Sequence, residues 1–467
     1  MRTLHPDPNT SPRRGQLLCL SWASALRAAW ALLALGALLS QWTGCRLGDD
    51  PLPLSTTPAD PRESDVVLDE GAHHDSGDAE GPDDASPSDS ADPEPHDATE
   101  GETPPPAHEG CMLVLVSDLV QAGAVARIDP ATYRADSALA STWQDATLRV
   151  LKGEVYVLNR LGADNLQALD PTDRLRTLWQ RSLGPRSNPW DLVRVGEREG
   201  VVALYGRGAL RRVTLGGALP AAEDPLGDVS LAAFDPVDGN PEPAQLWRAE
   251  GRIYVLLQRL VRFACRAEQG GAVLALDEAT LSPLTSWGQS GLAKLPFCNP
   301  TGMVPLGDGR LLVGAAGNYR VRGGESDDGG LVIIDLDTGA VTSPLYREAQ
   351  LGGGEGGRDI VRMAPGEEGR TWLVLADESF LVEVRALTRQ SGDVWTLSEP
   401  YWRAEGVFGV TEAFGRLWVA DTTPGQRGVL VFDPRVPGAP PIAGPIGVGG
   451  PPVEVVAHPQ PCDIGTR

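Results

Sequence analysis

The chain is poor in histidine, which limits the chemistry available to it. Only six of its 467 residues are histidines, and the stretch from residue 110 to the end holds one, His458. One histidine excludes histidine-rich metal sites and haem pockets with paired histidines from that stretch. No P-loop, GxSxG, HExxH or EF-hand pattern occurs either. The sequence therefore gives no catalytic motif, and whether the protein is an enzyme stays open.

The chain also lacks an apolar run of transmembrane length near its start. Ala28–Leu39 is an apolar stretch of twelve residues that follows Arg2, Arg13 and Arg14. A positive segment followed by a short apolar run is typical of a signal peptide, whereas a membrane-spanning helix needs about 20 apolar residues. Residues 1–45 are therefore predicted to be an export signal.

This signal ends in Gln41-Trp42-Thr43-Gly44-Cys45, which resembles the cleavage site of bacterial lipoproteins. The resemblance implies that Cys45 is lipidated, and Arg46 after it favours the outer membrane of a Gram-negative cell envelope. Gly44 and Cys45 fit the pattern, while Trp42 departs from the usual leucine. An ordinary secretory signal and an uncleaved anchor stay open as alternatives.

Positive charge is scarce, and the net charge is −23. Nucleic acid is therefore a poor partner, because phosphate binding needs a basic face. Residues 46–109 contain 19 acidic and two basic residues, with many Pro, Ser and Gly. Such a segment buries too little apolar surface to fold, so we expect a disordered acidic tether. Its four histidines could scavenge metal, but solvated low-complexity sequence is the simpler interpretation.

The rest of the chain, 110–467, is built from a repeated pattern. A Gly is followed by a short run of Val, Leu, Ile and aromatic residues, as in GEVYVL, and such runs indicate strands. Intervals of 43 to 60 residues separate seven such glycines. They are Gly110, Gly153, Gly200, Gly251, Gly309, Gly369 and Gly415.

A second apolar run follows in each unit, and five of these runs end in Asp. The units with Thr214 and Arg385 depart from this pattern. Asp after a strand favours a turn because its side chain bonds the backbone two residues on. The five aspartates are Asp129, Asp170, Asp277, Asp335 and Asp433.

A further apolar run precedes each Gly, and tryptophan-containing segments such as TLWQRS, LTSW and DVWTL supply fourth strands. Four strands in each unit of this length are typical of propeller blades. The sequence thus predicts an all-β fold, a seven-bladed β-propeller, with six or eight blades as alternatives. The chain enters at a second strand and leaves on a first strand, PPVEVVAH, so pairing of the N- and C-terminal strands would close the ring.

The propeller region contains four cysteines, an even number that suits an exported domain. The predicted topology favours Cys111–Cys462, which would lock the ring, and Cys265–Cys298, which would join two loops on one face. A metal site built on cysteine is the alternative, but the CxxC spacing common in such sites is missing.

Polar residues recur where the chain enters the first strand of a unit. In a propeller these positions approach the mouth of the central channel. Asn-Pro pairs there are typical of turns, because Pro keeps the preceding residue extended. Carboxylate and amide oxygens could also hold Ca²⁺. The candidate ligand-binding residues are Asn188, Asp191, Asn240, Asn299 and Asp359.

The units GEVYVLNR…LQALDP and GRLWVAD…VLVFDP resemble the YVTN/NHL-like propellers of bacterial exported and surface proteins. The resemblance covers about 350 residues and implies a scaffold that binds a protein or a small molecule. The predicted lipid at Cys45 would tether this scaffold to the membrane. Related propellers include lactonases and sugar dehydrogenases, so a metal- or cofactor-dependent enzyme is the alternative function. No catalytic residue of those enzymes has a counterpart here.

Overall fold

The computed structural model describes residues 110–216, 227–261, 264–265, 269–319, 327–352 and 357–461. The predicted signal (1–45) with Cys45, the predicted linker (46–109) and Cys462 lie outside these residues. All described residues belong to one of two compact units, 106–467. None of the helices described is long and apolar enough to cross a membrane.

The structure is almost entirely β. Strands 1 to 15 are β1 (Cys111–Ser117), β2 (Gly123–Ile128), β3 (Ala135–Thr142), β4 (Ala146–Leu151), β5 (Glu154–Asn159), β6 (Asn165–Asp170), β7 (Arg176–Ser182), β8 (Pro189–Arg194), β9 (Glu199–Leu204), β10 (Ala209–Thr214), β11 (Val229–Ser230), β12 (Pro243–Ala249), β13 (Arg252–Leu257), β14 (Ala272–Asp277) and β15 (Leu292–Lys294).

The second half continues in the same way, with one short helix, α1 (Glu348–Leu351). Its strands are β16 (Pro300–Pro305), β17 (Arg310–Ala315), β18 (Gly330–Asp335), β19 (Tyr346–Arg347), β20 (Asp359–Pro365), β21 (Arg370–Ala376), β22 (Val382–Arg389), β23 (Trp395–Leu397), β24 (Trp402–Ala404), β25 (Val407–Ala413), β26 (Arg416–Asp421), β27 (Gly428–Phe432), β28 (Ala443–Ile446) and β29 (Pro452–His458).

These strands form seven antiparallel sheets, one for each blade, so the predicted seven-bladed propeller is confirmed. Blade 1 has the order β29-β1-β2-β3, and blades 2 to 7 begin with β4, β8, β12, β16, β20 and β25. Pairing of β29 with β1, from Cys111 opposite His458 to Val116 opposite Pro452, closes the ring as expected. In blade 6, β24 adds a fifth strand beside β22.

The core consists of seven apolar clusters, one between each pair of neighbouring blades. Strands in the middle of a blade are buried on both faces, and alternate residues face opposite neighbours. In β1, Leu113 and Leu115 pack toward blade 2, while Met112 and Val114 pack toward blade 7. A blade therefore cannot bury its surfaces alone, and the closed ring is the folding unit.

Five of the seven repeated glycines lie in turns, and Gly110 and Gly200 do not share their backbone conformation. Gly153 and Gly369, like most of the repeated glycines, adopt positive φ in the turn before the second strand. Gly200 instead lies inside β9, where a Cβ would come within 2.9 Å of Leu192 and Leu215. Glycine is needed at that position because the neighbouring side chains pack closely against the backbone, and not because the chain turns there.

The aspartates that end the third strands are turn residues, as expected. Asp277 Oδ1 accepts hydrogen bonds from the backbone N–H and the hydroxyl of Thr280, at 2.9 and 2.8 Å. Asp335 makes the same pair of bonds with Thr338. Bonds from the threonine hydroxyls lower the pKa of both carboxyl groups, because they favour the charged form.

One strand prediction is wrong. The segment LTSW was expected to be a fourth strand, but the fourth strand of blade 4 is β15 and Leu284–Trp287 forms a turn in which Trp287 N–H bonds Leu284 C=O. Trp287 is buried in the cluster between blades 4 and 5. Its indole N–H donates to Leu336 C=O at 2.9 Å, which satisfies the buried polar group.

Closure by β29 leads to a test by truncation. We expect a chain ending before Pro452 to lose its native fold, because β1 would keep an unpaired edge and the first blade would lack its inner strand. A control chain ending at Pro461 keeps β29 and should retain native circular dichroism and cooperative unfolding. Native behaviour of the shorter chain would show that β29 is dispensable.

Candidate functional site

The first strands of the blades line the central channel. They contact one another in order around the ring, from β4 to β8, β12, β16, β20, β25 and β29, and β29 contacts β4. Seven polar side chains described on these strands bond another first strand. One of them, Thr147, does so through its hydroxyl bond to Glu454 Oε2 at 3.3 Å. We call the other six the channel belt: Arg149, Asp191, Gln245, Thr301, Arg362 and Glu454.

One part of the belt is an ion-pair network joining blades 1, 2, 3 and 6. Arg149 Nε donates to Asp191 Oδ1 at 2.5 Å, and its Nη1 donates to Glu454 Oε1 at 3.2 Å. Arg362 Nη2 donates to the same Glu454 oxygen at 3.3 Å. The Asp191 and Glu454 side chains are only 4% and 11% exposed. Buried charges of this kind are tolerated only when they are paired and hydrogen-bonded.

The belt also bonds the backbone of neighbouring strands. Asp191 Oδ2 accepts from Leu246 N–H, and Glu454 Oε2 accepts from Leu148 N–H, both at 2.7 Å. Arg362 Nη1 donates to Phe408 C=O at 2.7 Å. Each of these charged side chains therefore has at least one backbone partner in another blade.

The uncharged members continue the ring through blades 4, 5 and 6. The Gln245 amide exchanges two hydrogen bonds with the backbone of Met303, at 2.7 and 3.1 Å. Thr301 Oγ1 donates to Ile360 C=O at 2.6 Å. The belt is thus a chain of side-chain bonds that ties first strands together around the axis.

The charges of the belt stabilise one another. Burial alone would raise the pKa of Glu454, but Arg362 and Arg149 hold it below its usual range. Burial opposes the charge on Arg149, yet Asp191 and Glu454 raise the pKa of its guanidinium. Burial lowers the pKa of Arg362, and Glu454 counteracts that effect. A carboxylate held charged by arginines and bonded to the backbone is poorly suited to act as a general base.

The two candidate carboxylates, Asp191 and Asp359, do not belong to a cluster of acidic, cysteine or histidine ligands in the described part of the chain. Among the described residues, the only group of three or more His, Cys, Asp or Glu whose ligand atoms lie within 4.8 Å of one another is Cys265, Cys298 and Asp328. Asp191 belongs to the channel belt, and buried Asp359 begins β20 opposite Ala376.

The three candidate asparagines have turn roles. Asn188 and Asn299 each precede the proline that begins a first strand and adopt φ of 43° and 51°. Asn240 was expected to be their equivalent, which is wrong: Glu242 holds that place, with φ of 46° before Pro243. Asn240 lies two residues earlier, and its Oδ1 accepts from Glu242 N–H at 3.3 Å.

We use "upper face" for the end of the propeller where first strands begin and second strands end. A row of side chains there crosses blades 2 to 5. The guanidinium carbon of Arg160 lies 4.1 Å from the centre of the Trp190 ring, which stacks on Tyr205 with centroids 4.3 Å apart. Tyr205 Oη donates to Gln258 Oε1 at 2.9 Å, and Gln258 Nε2 donates to Pro300 C=O at 3.2 Å. This row was not predicted from the sequence, although the Pro-Trp dipeptide that begins β8 is visible there.

Glu242 is a buried acid beside this row. Glu242 is only 7% exposed. Its Oε2 accepts a hydrogen bond from Leu260 N–H at 2.9 Å. Burial, with smaller contributions from Asp238 and Asp235, raises the pKa of Glu242 to about 9. Burial also raises the pKa of Tyr205 well above its ordinary value. Both groups are therefore neutral at pH 7.

The longest connections between second and third strands also lie on the upper face. They are 258–271 in blade 4 and 316–329 in blade 5. The disulfide expected between Cys265 and Cys298 is present, with Cα atoms 5.7 Å apart. Cys265 N–H donates to Asn318 Oδ1 at 2.9 Å, which ties the two loops together. The predicted Cys111–Cys462 bridge includes Cys462, which lies outside the described residues.

The opposite, lower face carries a cavity of about 440 Å³ that is lined by residues of blades 2, 3 and 4. Its charged lining residues are Lys152, Arg194, Glu197 and Arg248. Arg194 pairs with Glu154, and Arg248 pairs with Glu278 at 2.7 Å. Two of its three cations are thus already neutralised.

The chain was compared with known proteins. No protein-family model and no curated protein matches it. Solved structures do match. A proposed 6-phosphogluconolactonase from Bacteroides uniformis is similar with a TM-score of 0.50 and 13% identity, over 75% of this chain and 99% of that one.

Two further structures are similar at a lower level. AztD from Citrobacter koseri has a TM-score of 0.43 and 11% identity, over 75% of this chain and 98% of its own. Virginiamycin B lyase from Staphylococcus aureus has a TM-score of 0.42 and 12% identity, over 68% of this chain and 92% of its own. The likeness to the Bacteroides uniformis structure agrees with the propeller fold, and at such identities none of these structures indicates an activity for this chain.

The buried Glu242 gives a pH-dependent prediction. Unfolded glutamate loses its proton near pH 4.5, whereas folded Glu242 keeps it until about pH 9. The folded state therefore binds one more proton in this window, and stability falls as pH rises through it. Glu242→Gln keeps an acceptor for Leu260 N–H, so we expect it to reduce the loss of stability between pH 5 and pH 8 by about 1–3 kcal/mol.

The measurement is urea unfolding at the two pH values. The matched control is Glu250→Gln, because Glu250 is exposed in a turn of the same blade. The control should leave the pH dependence unchanged. An equal pH dependence in wild type and Glu242→Gln would contradict a neutral Glu242.

Proposed function

We propose that this protein is an exported cell-envelope lipoprotein whose propeller is a non-catalytic binding scaffold, with its partner bound on the upper face. The observation that carries the proposal is the channel belt. A propeller that acts on a small molecule in its channel needs polar side chains that can bind that molecule. Here the four charged side chains of the channel belt each bond another blade: Asp191, Glu454, Arg149 and Arg362. These bonds between blades explain the four charged side chains as groups that stabilise the fold.

The upper face supports the binding role because its loops are long and are joined to one another. Binding residues are often carried on loops that a rigid scaffold positions. The loops 258–271 and 316–329 are the longest of their kind. Cys265 in the first is joined to Cys298 by the disulfide and to Asn318 in the second by a hydrogen bond. Links of this kind reduce the conformational entropy that these residues lose on binding.

The proposal of a lipid anchor is based on the N-terminal sequence. Cys45 is proposed to carry the lipid, and the acidic segment 46–109 is proposed to separate the propeller from the membrane. The net charge of −23 supports a partner other than nucleic acid. A protein partner is preferred, because a face assembled from several loops suits an extended surface better than one small molecule.

The experiment uses a photo-crosslinking amino acid in the full chain in intact cells. It replaces Val237 on the upper face, which is 44% exposed, or Glu250 in an exposed turn of the lower face. Cells are fractionated after irradiation. We expect a discrete adduct from position 237 and none from position 250, and we expect the chain in the membrane fraction unless Cys45→Ala is introduced.

Each part of the proposal has its own contradictory outcome. Adducts from position 250 alone would move the partner to the lower face. A Cys45→Ala chain that stays in the membrane fraction would remove the lipid anchor. Turnover of a lactone or a sugar by the purified protein, or a stoichiometric Ca²⁺ or cofactor found by mass and metal analysis, would favour the enzymatic alternative.

A further inference from the structure

The Cys265–Cys298 disulfide lies against a carboxylate. The two sulfurs and an Asp328 oxygen lie within 4.8 Å of one another. Asp328 Oδ2 accepts from the backbone and side-chain N–H groups of Asn318, at 3.0 and 2.9 Å. The other oxygen, Oδ1, is buried and has no hydrogen-bond partner within the described part of the chain. A buried carboxylate oxygen without a partner is costly, so it indicates a site that is incomplete in the oxidised state.

The surrounding backbone holds this carboxylate in place. Gly317 has φ of 58°, and a Cβ there would overlap Asp328 Oδ1. Gly317 N–H donates to Cys298 C=O at 3.2 Å, and Cys265 N–H donates to Asn318 Oδ1 at 2.9 Å. The segments that carry the three potential ligands are therefore joined to one another by bonds other than the disulfide.

Reduction would change the chemistry of this cluster. A dithiol supplies two electrons and two protons: the S–S bond breaks, each sulfur takes one proton, and the reductant leaves as its own disulfide. Ionising both thiols beside Asp328 would place three negative charges within a few ångströms. A divalent cation relieves this repulsion and makes the thiolate forms stable.

We propose that Cys265, Cys298 and Asp328 form a zinc site when the disulfide is reduced. Zinc accepts thiolate and carboxylate ligands at about 2.3 and 2.0–2.2 Å, distances that three atoms within 4.8 Å of one another can meet. Binding releases the two thiol protons. Three protein ligands leave a fourth position for water or for a donor from a bound partner. The upper face thus has an oxidised form closed by a disulfide and a reduced form closed by a metal.

The test compares oxidised and reduced full-length protein. The reductant is a phosphine, which becomes its oxide as the disulfide opens, with water supplying the oxygen of the oxide and the two thiol protons. Zinc is added, excess is removed by gel filtration, and bound zinc is measured by elemental analysis. Co²⁺ in place of zinc gives an absorption spectrum that reports thiolate coordination. We expect reduced protein to bind one more equivalent than oxidised protein, with a cobalt–thiolate band.

Three variants identify the ligands. Cys265→Ser/Cys298→Ser keeps all other cysteines and should bind no extra zinc. Asp328→Asn keeps both thiols and should bind zinc at least about tenfold more weakly. Asp327→Asn is the matched control, because Asp327 is exposed and faces Arg347. It should bind like wild type.

Several outcomes would overturn the proposal. Equal zinc binding by the reduced wild type and the double serine variant would assign the metal to other groups. Wild-type affinity in Asp328→Asn would remove the carboxylate from the site. Loss of the native circular dichroism spectrum on reduction would also overturn it, because the site requires the folded propeller.

Discussion

The structure depends on a ring of seven first strands that must close on itself. Apolar packing between blades supplies the core, but it is repeated seven times and is similar at every interface. The channel belt distinguishes the interfaces, because its side chains bond different partners on different first strands. Glu454, on the last strand, bonds Leu148 N–H and two arginines, so the C-terminal strand is fixed to blades 2 and 6 as well as to β1.

This use of the channel has a chemical consequence. The low-dielectric interior strengthens ion pairs but makes an unpaired charge costly, so the belt groups stabilise the fold only as a set. Ligand binding that displaced Asp191 or Arg149 would leave its partner unpaired. In the proposed function the partner therefore binds a face of the propeller, and the upper face carries the longest connections between second and third strands.

Much of the fold could be predicted from the sequence because local signals repeat. A strand buried on both faces is apolar throughout, as in CMLVLV, and the aspartate turns recur at the ends of third strands. Topology also placed Cys265 and Cys298 on the same face. These inferences need only the period of the repeat and the chemistry of turns.

The site residues were harder to predict because they act over long sequence distances. Arg149 and Glu454 are 305 residues apart and meet only through ring closure. Asn240 precedes a proline just as Asn188 does, but the strand begins at the next proline, Pro243, so Glu242 is in the equivalent place. Asp328 is far in sequence from both cysteines, so the cluster has none of the spacing by which metal sites are recognised.

The most direct test of the account is a double-mutant cycle across the channel. Arg362→Met, Glu454→Gln and the double variant are compared with wild type in urea unfolding. A control cycle uses the exposed pair Arg176 and Asp173. We expect a coupling energy of about 1–3 kcal/mol in the channel and less than about 0.5 kcal/mol at the surface. Additive effects of the two channel substitutions would contradict the account, because they would mean that these charges do not hold the ring together.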